Sequence, residues 1–249
     1  MVYLSNNADK SISVFSKEEK IPYLIQAWVD PFNKEDKSKA PFTVIPPVSR
    51  LEPSQEKILR IIHTKGVSLP DDRESVFWLN IKNIPPSASN KATNSLEIAV
   101  KTRIKLFWRP ANIRLIPEDA APKVKWRREG RNLIAENPNP IHISVMDVIV
   151  DGHDVPLNMI RPFETLTLPL PANSAGGQMT WRFINDYGAV SGFAPIFPDI
   201  CYHLTHYKPA AADIPVASDN PAHYADAIRY NARTPLQGSL LPLTRLVWA

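Results

Sequence analysis

The longest regular pattern of apolar and polar positions in the chain runs from Leu96 to Trp108. Every even-numbered position in this stretch is apolar or threonine, whereas most odd-numbered positions carry a charge. Alternation with a period of two predicts a β-strand with one apolar face and one cationic face. The stretch is about twice as long as an ordinary strand of five or six residues, so its length needs an explanation.

Shorter strand-like runs precede and follow this long strand. They are rich in β-branched and aromatic residues, and turns containing proline or asparagine separate them. The runs are 10–15, 23–29, 42–45, 57–63, 75–81, 124–128, 131–137, 141–150, 164–170 and 179–185. Because no amphipathic helical window lies between them, they predict β-sandwiches. Pro110 ends the long strand, and residues 114–122 are interpreted as a linker.

The runs fall into two groups, which predict an all-β protein with two sandwich domains. The first domain is predicted over residues 1–116 and the second, smaller domain over residues 117–195. Residues 196–249 keep no clear period and are rich in alanine, proline, histidine and tyrosine. We expect this tail to be disordered, and its atypical composition suggests a reading-frame change or a recent fusion.

Composition supports a β-protein and gives no sign of a membrane span. The chain of 249 residues contains 25 prolines and 8 glycines, and proline is tolerated in turns and edge strands but not inside helices. No window approaches the run of about 18 apolar residues that a membrane helix needs, so no membrane insertion is expected. Cys201 is the only cysteine, which excludes an intrachain disulfide.

The net charge of +4 is concentrated in the predicted first domain, where 18 basic and 12 acidic groups occur. Five basic residues and no acid lie between Glu97 and Glu118; they are Lys101, Arg103, Lys105, Arg109 and Arg114. This stretch keeps one alternative function open, a β-sandwich that binds an anionic polymer through residues 101–114. No recognised nucleic-acid-binding module fits the sequence, so no nucleic-acid partner is expected.

Motifs that carry enzyme chemistry are missing from the sequence. It contains no nucleophile elbow, no phosphate-binding loop and no H-E-x-x-H pair. Cys201, His203 and His206 have side chains of the kinds that bind zinc, but no fourth ligand lies near them. We therefore expect no catalytic residue, no metal site and no cofactor, and the protein is not predicted to be an enzyme.

The segment "LPDDRESVFWLNIKNIPP" at residues 69–86 resembles the diagnostic stretch of the periplasmic chaperones of the chaperone–usher pathway, which assemble fimbriae and pili. Five further segments are similar to this family in the same order; they are 22–30, 46–53, 102–110, 136–145 and 184–189. The resemblance covers roughly residues 1 to 190. The short connection over residues 85–95 is similar to the subclass with a short loop before the last strand of the first domain.

The resemblance implies two immunoglobulin-like sandwiches in an L shape with a cleft between them. It also implies a periplasmic chaperone that binds pilin subunits by donor strand complementation, in which one strand completes the subunit's unfinished sandwich. The partners implied are pilin or fimbrial subunits and an outer-membrane usher. No signal peptide is visible, and the family's first-strand arginine would precede Met1, so the start is interpreted as assigned too late or truncated.

The resemblance assigns roles to eight residues of this chain. The donor residues are Leu96, Ile98 and Val100, and Lys105 matches the lysine that binds the subunit's C-terminal carboxylate. Arg109 and Asp186 match residues that pair across the two domains, and Pro22 and Pro46 match a proline patch that ushers contact. Alternation alone leaves a second interpretation open for the three donor residues, namely that they face the core of their own domain.

Overall fold

The computed structural model describes residues 1–16, 20–64, 66–86, 98–171, 178–191, 194–196 and 245–248. The chain divides into two compact units. Unit 1 contains Met1–Ser5, Pro70–Ser75 and Arg109–Ala217, and unit 2 contains Asn6–Leu69, Val76–Trp108 and Ser218–Ala249. Three short pieces of the predicted first domain therefore belong to unit 1, together with the second half of the chain. They are residues 1–5, 70–75 and 109–116.

The N-terminal half of the described chain forms eight strands. They are β1 (Val2–Leu4), β2 (Lys10–Phe15), β3 (Tyr23–Pro31), β4 (Phe42–Ile45), β5 (Val48–Leu51), β6 (Glu56–His63), β7 (Ser75–Ile84) and β8 (Val100–Arg109). The predicted bounds of β2 and β4 agree with the structure, and those of β3, β6 and β7 agree at one end or to within one residue. The long strand begins at Val100, four residues later than predicted.

The remaining elements are mostly short. They are a helical turn α1 (Pro117–Ala120), a 3-10 turn (Ala121–Lys123), β9 (Lys125–Glu129), β10 (Asn132–Glu136), β11 (Ile143–Val150), β12 (His153–Asp154), β13 (Met159–Ile160), β14 (Thr165–Pro169), β15 (Met179–Ile184), β16 (Ala194–Ile196) and β17 (Arg245–Trp248). The interpretation of residues 114–122 as a plain linker is wrong for its second half. Proline in the first turn of α1, followed by Glu118 and Asp119, favours a helical start.

Unit 2 is a β-sandwich. The unit 2 strands of one sheet have the order β8-β7-β3-β5, and the other sheet has the order β17-β2-β6-β4. The two sheets pack face to face, because the ring of Phe42 on β4 lies 5.0 Å from that of Phe77 on β7 and 5.9 Å from that of Trp108 on β8. Buried apolar side chains on alternate positions fill the space between the sheets; they include Ile12, Val14, Ile25, Ala27, Leu59, Ile61, Leu79 and Ile81.

Unit 1 contains a second sandwich. Its sheets have the orders β14-β10-β9 and β12-β11-β15-β16, and β13 also pairs with β11. Trp126 on β9 and Trp181 on β15 contact each other across the two sheets, with 5.3 Å between the ring centroids. Ala120 and Ala121 from the helical segment are buried in the same core. The prediction of two all-β sandwiches is therefore confirmed.

The end of the chain contributes two short strands to these sheets. Ala194–Ile196 pairs with β15. Arg245–Trp248 pairs antiparallel with β2 and so covers a sheet edge, which is otherwise open to association with other chains. The expected disorder of the tail falls mostly on residues 197–244, which lie outside the described part of the chain.

Candidate functional site

The long strand β8 changes from buried to exposed along its length. Leu106 and Trp108 are 0% and 8% exposed, whereas Val100 and Ile98 are 45% and 46% exposed. Within the strand, even-numbered side chains share one face, so Val100 lies on the face that carries Leu106 and Trp108 into the core. The strand therefore extends beyond the core of its own sandwich. Ile98 and Val100 are not sealed in that core, and Leu96 lies outside the described residues.

The exposed start of β8 also leaves backbone groups for another strand. β7 lies on one side of β8 in the sheet. At the last residue of β8, the carbonyl oxygen of Arg109 accepts a hydrogen bond from the backbone N–H of Ser5, the residue that follows β1 (2.9 Å). β1 has only three residues, whereas β8 has ten. Within the described chain, one side of the first half of β8 is thus an open edge.

Lys105 stands on the opposite, odd-numbered face of β8 and is partly buried. Burial lowers the pKa of its ammonium group to about 8, because a poorly hydrated site disfavours the charged form. A cation in such a site gains more from an approaching carboxylate than a fully hydrated lysine does. Lys105 is therefore suited to bind an anionic group close to the open edge of the strand.

Arg109, the last residue of β8, forms a buried ion cluster in unit 1. Its Nε donates to Glu74 Oε1 (2.5 Å), and its Nη1 and Nη2 donate to Asp186 Oδ2 and Oδ1 (2.6 and 2.9 Å). Arg109 is 5% and Glu74 3% exposed. Burial by itself would lower the pKa of Arg109, but the hydrogen bonds and charges of Asp186 and Glu74 raise it, so the guanidinium stays charged.

Glu74 is the member of this cluster that sequence reasoning missed. Its second oxygen, Oε2, accepts a hydrogen bond from the backbone N–H of His142 (2.8 Å) and lies 3.1 Å from His142 Nδ1. The backbone N–H of Glu74 donates to the carbonyl oxygen of Pro140 (2.9 Å). The single acid thus joins Arg109 to the segment before β11. The available signal was its place in the segment 69–86 that carries the family resemblance.

The structure places Pro22 and Pro46 near the other edge of the same sheet. Pro22 precedes β3 and Pro46 precedes β5, and β5 lies at the opposite edge from β8. Both prolines are partly exposed. Exposed apolar side chains accompany them; they are Ile21, Leu24, Ile45 and Val48. An apolar patch of this kind is typical of a contact surface, and it is separate from the open edge of β8.

Three of the five basic residues in the stretch 101–114 already contact other side chains of the protein. Arg109 is neutralised by two carboxylates, and Lys101 and Arg103 lie over the rings of Trp28 and Trp78.

No group of three or more potential metal ligands occurs among the described residues, and Cys201, His203 and His206 lie outside them. In the same part of the chain, no helix has the length and apolar character to cross a membrane.

Comparison with known families gives two adjacent matches. Residues 1–114 match the N-terminal domain of PapD, which is described as a pili and flagellar-assembly chaperone, and residues 119–192 match the C-terminal domain of the pili assembly chaperone PapD. The two matched ranges lie within residues 1–192 and end before the tail.

Individual proteins give the same result. Chaperone protein FimC of Escherichia coli K12 is 35% identical over 192 residues, which cover 77% of this chain and 78% of FimC. Among solved structures, a chain in the Salmonella enterica complex of the SafA pilin with the SafB chaperone matches with a TM-score of 0.71 and 34% identity, covering 79% of this chain and 92% of that one. The Escherichia coli chaperone DraB matches with a TM-score of 0.66 and 36% identity, covering 79% of this chain and 91% of DraB.

Proposed function

Since the chain belongs to the family of pili assembly chaperones, we propose that it binds pilin subunits by donor strand complementation and delivers them to an outer-membrane usher. The observation that carries this proposal is the exposure of Ile98 and Val100 at the open-edged start of β8. These side chains lie beyond the core of their own domain and are available to enter the core of a pilin subunit.

The physical basis of the interaction is the incomplete sandwich of a pilin subunit. Such a subunit lacks a strand, so its core and the neighbouring strand edges are open to water and to aggregation. The first half of β8 supplies backbone hydrogen bonds to the open edge, and its alternating apolar side chains enter the open core. Full burial of two aliphatic side chains that are now half exposed contributes on the order of 1 kcal/mol each, beyond the backbone pairing.

Lys105 is proposed to set the register of the borrowed strand. A shift of one residue would turn every apolar side chain of the donor strand away from the subunit's core. A carboxylate at the end of the subunit, bound to the partly buried ammonium group of Lys105, fixes the position of the subunit along β8. The cation thus determines which side chains of the donor strand meet which part of the groove.

Arg109 and Asp186 are proposed to fix the position of the segment that ends β8, together with Glu74. Because two of the three groups are buried, this cluster acts as a rigid anchor rather than as a solvent-exposed ion pair. Pro22 and Pro46, with the exposed apolar residues around them, are proposed to contact the usher. That surface and the donor strand lie at opposite edges of one sheet, so the same unit has room for both partners.

The proposed location is the periplasm, where the matching chaperone SfaE is placed by its description as a periplasmic chaperone. The family is one of non-enzymatic chaperones, and the proposed mechanism requires no cofactor. Binding of an anionic polymer through residues 101–114 is the less favoured function, because Arg109 is buried against two carboxylates.

Aspartate substitutions at Ile98 and Val100 test the proposal. The double variant is expected to lose stable association with a pilin subunit, because two carboxylates would have to enter the subunit's apolar core. Its melting temperature should stay within about 2 °C of the wild-type value, since both positions are already exposed. Co-expression with a pilin, followed by affinity purification and thermal unfolding, measures both quantities.

Ile58 provides a matched control for this experiment. It is an apolar residue on β6 of the same unit and is 59% exposed, but it lies in the sheet that does not contain β8. Ile58→Asp should bind the pilin with normal yield. A normal yield of complex with the Ile98→Asp/Val100→Asp variant would refute the proposed donor strand.

A further inference from the structure

Two cations on the odd-numbered face of β8 rest on tryptophan rings from two other strands of the same sheet. Lys101 Nζ lies 5.3 Å from the ring centroid of Trp28 on β3, and Arg103 Cζ lies 4.5 Å from that of Trp78 on β7. Both distances are within the range of about 6 Å at which a cation is attracted to an aromatic face. Both contacts fall on the part of β8 that extends from the core towards its exposed start.

The two tryptophans are themselves held in place by hydrogen bonds and stacking. Trp28 Nε1 donates to Asp30 Oδ2 (3.0 Å), and Trp78 Nε1 donates to the carbonyl oxygen of Phe32 (3.2 Å). The ring of Phe32 stacks on that of Trp78, with 5.0 Å between centroids and 16° between planes. Asn80 Nδ2 also donates to Asp30 Oδ2 (3.1 Å). These contacts hold both tryptophan rings in a fixed orientation beneath the two cations.

Such support matters for the first half of β8 because its start is exposed. Val100 is half exposed and the strand edge is open, which are features of backbone that exchanges between ordered and frayed states. If this segment frayed in the free protein, its ordering would accompany every binding event and slow the association. The aromatic platforms lie on the opposite face from Val100, so contact with them leaves the apolar face open to a partner.

We propose that the Lys101–Trp28 and Arg103–Trp78 contacts are clamps that keep the start of β8 extended before a subunit arrives. Lys101 and Arg103 are then positioning residues, which act through the backbone that they hold. Both clamps are contacts within the free protein. Its consequence, a faster capture of subunits, rests on the proposed function as a donor-strand chaperone.

Amide hydrogen exchange of the free protein tests the clamps directly. The double variant Lys101→Gln/Arg103→Gln is expected to increase the exchange rates of those amides at 100–104 that point to β7 by about 10-fold, from the loss of two cation–aromatic contacts. The alternate amides, which face the open edge, exchange rapidly in both proteins. Arg50→Gln, which removes an exposed arginine on β5, should leave these rates unchanged. Unchanged exchange at 100–104 in the double variant would overturn the inference.

A conservative variant separates a clamp from general stabilisation of the fold. Arg103→Lys keeps a cation above Trp78 and should restore most of the slow exchange, whereas Arg103→Gln should not. The melting temperature should be nearly the same for both variants. If Arg103→Gln and Arg103→Lys exchange equally fast, the charge is not responsible and the proposal fails.

Binding kinetics test the consequence for capture. For the double glutamine variant, we expect the association rate with a pilin subunit to fall about 10-fold while the dissociation rate changes less than 3-fold. Faster amide exchange with an unchanged association rate would overturn the role in capture. A wild-type protein that binds no pilin would instead refute the proposed function, and the exchange measurement on the free protein would still decide whether the clamps exist.

Discussion

Replacing Lys105 with glutamate is expected to abolish the capture of pilin subunits while the fold stays intact. The substitution removes the cation that we assign to the subunit's terminal carboxylate and puts a like charge in its place. Truncating one partner of a desolvated charge pair costs about 2–5 kcal/mol, and like-charge contact adds to that cost. We therefore expect binding at least about 100-fold weaker than that of the wild type. Titration of the purified variant with a pilin subunit gives the dissociation constant.

Lys105→Met and the pH dependence of binding serve as controls for this prediction. The pKa of Lys105 in the free protein is about 8, and a bound carboxylate favours the protonated form. Below pH 8 the affinity of the wild type should be constant, and above it the dissociation constant should rise by up to about 10-fold per pH unit. Lys105→Met should bind weakly without this step. A Lys105→Glu variant that binds pilin normally would contradict the assigned role.

The same pKa predicts how Lys105 affects the stability of the free protein. Its pKa is lower in the folded state than the ordinary value of 10.5, so the folded state binds fewer protons than the unfolded state between about pH 8 and 10.5. The contribution of Lys105 therefore makes the protein more stable as the pH rises through this window. The substitution that weakens capture, Lys105→Met, is thus expected to raise the melting temperature at pH 7.

Arg109→Met is expected to destabilise the protein by about 3–5 kcal/mol, because it leaves the carboxylate of Glu74 buried without its partner. Urea unfolding monitored by tryptophan fluorescence measures the loss as a lower midpoint. Asp186→Asn should have a smaller effect, since the side chain of Asp186 is 21% exposed and that of Glu74 only 1%.

A double variant distinguishes an uncompensated charge from lost packing. Glu74→Gln in the Arg109→Met background removes the buried charge and should recover part of the lost stability. If the double variant is as unstable as the sum of the two single variants, the charges do not interact energetically and the account of the cluster is incorrect.

The sequence predicted the two sandwiches and the family, and the matches to PapD domains and to FimC confirm both. Alternation identified the long strand because a period of two is a property of the strand itself. The same alternation could not separate Leu106, which is fully buried, from Val100, which is half exposed. That difference depends on where the facing sheet ends, and the pattern within one strand carries no information about it.

The ion cluster and the helical turn are two further features that a local sequence pattern does not reveal. Arg109 and Asp186 were predicted as a pair from the resemblance, whereas Glu74 was not singled out, although it accepts from both Arg109 and His142. A buried acid is defined by partners far away in the sequence, and its own position gives little sign of them. The helical turn at Pro117–Ala120 lies within the segment 114–122 that was interpreted as a linker, and four residues are too few to show a helical period.

Hydrogen exchange of the donor-strand amides in a purified complex with a pilin subunit tests the central claim most directly. In a strand, successive N–H groups point to opposite sides, so alternate amides over residues 100–104 face the open edge of β8. The account predicts that these amides exchange rapidly in the free chaperone and become strongly protected in the complex. A stable complex in which they exchange as fast as in the free protein would contradict donor strand complementation by this segment.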